Sequence, residues 1–265
     1  MNNKLLVIKT LQILSLIFLG IVLYVNFLSV YQPINGKGIK EISDKYSNLF
    51  TPAPITFTIW GLIYLGLIAY VVWQLKSLFS SNSKSEVNLV VEKIGFLFIL
   101  SCVFNTAWIF AWQYEKLFFS VMIMIGLLLS LIEINAKISF ELPAKSLTKT
   151  FLKIPFGLYL GWISIATISN VAAYLTKIGW NRFGLDERFW VIALVVVATS
   201  ITCWAIVKLS NIAYGFVVFW SLFGILLVRI NDQIPSLLIN LSITFCALLV
   251  LLTISMISKL EFSRK

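Results

Sequence analysis

Residues 92–113 read EKIGFLFILSCVFNTAWIFAWQ. The run is long and apolar enough to cross a bilayer, for which roughly 20 residues of helix suffice. Its middle nevertheless carries Asn105, Trp108 and Trp112, which at i, i+3 and i+7 share one helical face. A polar amide beside two indoles at membrane depth has two uses. It hydrogen-bonds a neighbouring helix, or it lines a pocket for a ligand.

Working outward, seven further apolar runs of similar length flank this one. With it they predict spans at about 5–30, 54–75, 93–113, 117–138, 151–176, 189–208, 212–229 and 236–257. The runs are continuous rather than alternating, and about twice the length of a barrel strand, so helices are expected. The first run is too long for the apolar core of a signal peptide and is read as a retained helix. The fold class expected is all-α, a polytopic transmembrane helical bundle.

Composition agrees. The chain is 60% hydrophobic and 12% charged, with mean hydropathy +0.95, against about 45–50% and about 25% for soluble domains. The net charge of +10 comes from Lys and Arg at the ends of apolar runs. There they anchor helices and meet anionic lipid, so membrane lipid is the expected partner and nucleic acid is not. With the N-terminus inside, 13 of the 21 basic residues fall on the inner side. That bias predicts a cytoplasmic membrane, expected to be bacterial, with both termini in the cytoplasm.

The connections carry information too. Residues 31–53, YQPINGKGIKEISDKYSNLFTPA, are too rich in Pro, Gly, Asn and Asp for one continuous helix and are long enough to act as a lid. Residues 76–91 read as a flexible polar linker and 139–150 as a basic connection holding Pro143. Tyr114–Lys116 and Asn231–Pro235 read as tight turns between antiparallel neighbours.

Chemistry is constrained by what is missing. There is no histidine, which removes the usual general base near neutral pH and the commonest metal ligand. Cys102, Cys203 and Cys246 are scattered through apolar runs without metal-like spacing and read as buried hydrophobes. Glu133 and Lys137 are spaced for an i,i+4 pair near a span end. No catalytic constellation, no metal site and no required cofactor are expected.

Aromatic and neutral polar residues remain. Trp60 and Tyr64 are i,i+4 neighbours in the second span, reached through Thr51-Pro52-Ala53-Pro54. Tyr159, Trp162, Ala166 and Asn170 form a stripe in the fifth. Each indole, phenol and amide needs a partner in hydrocarbon, found either on other helices or on a ligand. Trp73, Trp180 and Trp190, near span ends, read as interface anchors, and so does Trp112. Trp204 and Trp220 read as core packing. Gly157, Gly161, Ala166, Ala172 and Ala173 suit close helix contacts or a homodimer face.

The ordered stretches FTPAPITFTIWGLIYLGL (50–67), FNTAW (104–108) and YLGWISIATISN (159–170) resemble the TspO/MBR family, the tryptophan-rich sensory proteins related to the mitochondrial translocator protein. The resemblance implies a five-helix core, residues 1–177, followed here by a three-helix extension, residues 178–265. It implies a pocket for porphyrins and other flat hydrophobic molecules, covered by the loop at 31–53. Trp60 and Trp162 match pocket tryptophans linked to porphyrin binding and light-dependent breakdown; Asn105 and Trp108 match the third-helix motif. This chain has Thr-Pro-Ala-Pro where many members have Trp-x-Pro-Pro, and Leu158-Tyr159 where Pro-Tyr is usual. The expectation is a ligand-binding, sensory or regulatory membrane protein whose site comprises Trp60, Tyr64, Asn105, Trp108, Tyr159, Trp162 and Asn170, with a porphyrin as the bound small molecule. The alternatives are a transporter of a small hydrophobic solute, and a structural subunit in which the stripes are helix glue.

Overall fold

A computed structural model describes residues 3–82, 85–142, 146–231 and 236–262, with the side chains of Ser146 and Lys259–Phe262 left aside. The described residues form helices joined by turns and loops, with no strand. The helices are α1 (Asn3–Tyr31), α2 (Ile39–Lys45), α3 (Ile59–Leu75), α4 (Glu86–Gln113), α5 (Leu117–Ala136), α6 (Ser146–Lys177), α7 (Glu187–Leu209), α8 (Ile212–Ile230) and α9 (Leu237–Phe262). A 3₁₀ turn, Pro54–Thr58, leads into α3, and a π turn, Lys137–Glu141, ends α5. All but α2 are long and apolar enough to span a membrane, giving the eight spans expected.

The structure departs from the sequence reading in several places; α6, for one, begins at Ser146, inside the stretch read as a connection. The third span begins at Glu86, inside the stretch read as linker. Ser85 caps it, accepting the Asn88 N–H, and Glu86 meets the positive end of the helix dipole. The polar residues there cap and extend the helix instead of breaking it. Within 31–53 lies the short helix α2. Of the predicted turn Asn231–Pro235 only Asn231 is described, and residues 232–235 lie outside the described residues.

The chain forms two compact units, Met1–Ile39 with Gly61–Phe156, and Lys40–Trp60 with Gly157–Lys265. In the first, α4 packs on α1 and on α5. Its centre is a buried triad of edge-to-face rings, Tyr70–Phe98 and Tyr70–Phe156 at 5.1 Å and Phe98–Phe156 at 6.1 Å. Lipid tails are as apolar as these side chains, so packing and polar contacts between helices decide association in a bilayer. A buried chain of polar contacts does this at one end. The Gln12 amide donates to Gln74 O (2.7 Å) and Ser77 Oγ (2.8 Å), and Ser77 donates to Asn88 Oδ1 (2.7 Å). At the other end Gln113 donates to Ser29 O and accepts the Ile34 N–H, fastening the chain after α1 to the end of α4.

In the second unit, α7, α8 and α9 pack on one another, and α8 also packs on the 3₁₀ turn. The predicted Glu133–Lys137 pair forms at 3.1 Å. The three cysteines are free, Cys102 and Cys246 buried and Cys203 half-buried.

Candidate functional site

The aromatic cluster of the second unit starts from Pro54. Proline opens the 3₁₀ turn at the position where its missing N–H costs nothing and its φ is already set. The turn is clamped to α8. Ala53 N–H donates to Gly224 O at 3.0 Å, and the Trp220 indole donates to Thr56 O at 3.1 Å. The Thr56 side chain lies directly against the Gly224 backbone, where a β-carbon has no room. Trp220 therefore holds the start of the second span, a more specific role than core packing. Trp204, read the same way, instead points out of the chain at 65% exposure.

This clamp aims Phe57 and Trp60 at the α6 stripe. Phe57–Trp162, Trp60–Tyr159 and Trp60–Trp162 are edge-to-face, with centroids 5.5, 5.9 and 6.0 Å apart. Each such pair contributes about 0.5–1.5 kcal/mol beyond area burial. Tyr159 and Trp162 are buried, whereas Phe57 and Trp60 keep part of their ring surface accessible. Small residues set α6 against α8. A β-carbon on Gly161 would lie 2.7 Å from Tyr214 O, and Gly157 lies against the Asn211 side chain. Tyr214 Oη donates to Ser164 Oγ at 3.3 Å. Gly157 and Gly161 thus serve a close helix contact inside the chain.

Trp60, Tyr159 and Trp162 are brought together. Asn170 is buried eight residues beyond Trp162 on α6, and Tyr64 is half-buried on α3 in the first unit. Asn105 is buried and accepts a hydrogen bond from Asn26 Nδ2 at 3.0 Å, an amide bridge from α1 to α4. Trp108 stacks on Trp112, with centroids 5.6 Å apart and planes at 27°. Trp112 is not an exposed anchor. It is 5% exposed, and its indole donates to Ile39 O at 3.2 Å, in the stretch expected to be a lid. Its place on the Asn105 face was the sequence signal for this role. The cations of that stretch are engaged within the chain. Lys37 pairs with Glu115 (2.9 Å), Lys40 pairs with Asp44, and Lys45 lies over the Tyr46 ring.

The TSPO-like protein family matches residues 12–257, from the first span into the eighth. No curated protein and no solved structure matches the chain. The match covers far more than half of the residues and takes in all three stretches on which the resemblance rests. The chain is an integral membrane protein and belongs to the TSPO-like protein family.

Proposed function

We propose that this protein binds a flat hydrophobic molecule, with a porphyrin or related tetrapyrrole as first candidate, and serves a sensory or regulatory role in the cytoplasmic membrane of a bacterium. The observation that carries the reading is the Trp60–Tyr159–Trp162 cluster, held by α8 and keeping accessible indole surface on Trp60. Family membership supports it. Within the second unit Trp60 and Trp162 supply ring surface, and Tyr159 and Asn170 supply hydrogen bonds that orient the ligand.

The test is tryptophan-fluorescence quenching of the detergent-purified chain by a porphyrin. Wild type is expected to quench saturably. Trp162→Phe and Trp60→Phe are each expected to weaken binding by about threefold to tenfold, the equivalent of about 0.5–1.5 kcal/mol. Unchanged affinity in both folded variants would remove the site assignment. Absence of saturation in wild type would remove the ligand class.

A further inference from the structure

On α6 the Tyr159, Trp162, Ala166 and Asn170 stripe occupies one side of the helix. At about 100° per residue, Ile168, Val171, Ala172 and Leu175 fall on the opposite side. That opposite side walls a cavity of about 650 Å³ lying wholly within the second unit. None of the residues of the proposed porphyrin site, Trp60, Tyr159, Trp162 and Asn170, lines it. The far wall is α7, through Val191 and Leu194, and buried Phe50 closes it from the chain after α2. The volume suits one small molecule, since ligand sites run at about 300–1,000 Å³.

The mouth is polar but electrically neutral. Glu187 Oε2 accepts from Arg182 Nη1 at 2.8 Å, and its Oε1 accepts the Leu49 N–H at 2.9 Å. One carboxylate thus neutralises the arginine and tethers the segment that closes the cavity. Trp180 and Trp190 flank the mouth with rings 5.0 Å apart, and the Trp190 indole donates to Arg182 O. An anionic ligand would meet Glu187, and a cationic one would meet Arg182. The walls below are mostly hydrocarbon, and the Thr167 hydroxyl among them donates to Ile163 O at 2.7 Å. We infer that the cavity is a second binding site, for one single-chain amphiphile with an uncharged hydroxyl- or ester-bearing head, of the monoacylglycerol class. Its apolar chain lies between α6 and α7, and its head reaches Asn48, Asn181 and the indoles at the mouth.

The test uses the full chain in phosphatidylcholine nanodiscs and a monoacylglycerol brominated along its chain, which quenches tryptophan on contact. A saturable quenching component is expected at probe fractions too low for bulk-lipid contact. Val171→Phe, which fills the cavity, is expected to weaken that component at least tenfold. Trp204→Phe removes an indole that points out of the chain and is expected to lower only the part that rises linearly with probe. Porphyrin binding to Val171→Phe reports that the bundle is intact and is expected to stay as in wild type; thermal melting supplies the same check should the porphyrin proposal fail. Purely linear quenching would overturn the inference, as would equal saturation by brominated phosphatidylcholine. Tighter binding of the brominated free fatty acid than of its glycerol ester would overturn the uncharged head.

Discussion

Glu115 shows how much a single residue decides. The turn after α4 is a Schellman closure, with Lys116 N–H on Ala111 O and Glu115 N–H on Trp112 O. Its pivot, Glu115, sits at φ 53°, a left-handed conformation that glycine adopts without penalty. Glutamate is retained there in a pair with Lys37, half-exposed and therefore worth little on its own. Glu115→Gly and Glu115→Ala both lose the pair, so comparing them isolates the backbone. Glycine is expected to be the more stable by about 1 kcal/mol, measured by thermal melting in one detergent; alanine equal to or above glycine would refute the closure. That a turn lies at 114–116 was legible in the sequence. The pair from residue 37 was not, because partners so distant in sequence leave no local pattern. The same holds for Asn26 with Asn105 and for Gln12 with Gln74. An apolar run displays its lone polar residue but not the residue it meets.

Among the elements, α6 contributes most to the two proposed sites. One side carries the aromatic stripe, the other walls the cavity, and Gly157 and Gly161 let α8 approach. Glycine in a helix interior normally costs about 1 kcal/mol relative to alanine. Gly20, with open space around it on α1, and Gly161, with a backbone carbonyl where its β-carbon would go, are therefore expected to respond with opposite signs. Gly20→Ala should stabilise by up to about 1 kcal/mol. Gly161→Ala should destabilise by about 1–3 kcal/mol, because the Tyr214 carbonyl cannot swing aside as a flexible side chain can. Melting both variants checks this; stabilisation of Gly161→Ala would contradict the α6–α8 contact. Hydropathy located every long helix, but helix ends answer to capping, which is why α4 starts at Ser85–Glu86. Trp204 and Trp220 sit in equally apolar surroundings, and only the fold separates the one facing outward from the one holding Thr56. The stripe itself was legible from its spacing. Trp60 was legible from its i,i+4 spacing with Tyr64, and the family resemblance joined it to Trp162.

For the whole molecule, eight spans and a net charge of +10 concentrated at their ends make the membrane its solvent. The positive-inside bias predicts that residues 31–53 face outward. In a variant with its three cysteines replaced by alanine, Lys40→Cys is expected to react with a membrane-impermeant maleimide added to intact cells, and Lys76→Cys only after lysis. The reverse labelling would invert the topology. The functional account rests on the aromatic cluster held by α8, and its most direct test reads the ligand rather than the protein's own indoles. Titration of a porphyrin's Soret band against wild type and the Trp60→Phe/Trp162→Phe double variant, both shown to be folded, is predicted to give one saturable site per chain in wild type and affinity weaker by at least about tenfold in the double variant, the sum of two ring contacts. Equal affinity in the two proteins would contradict it.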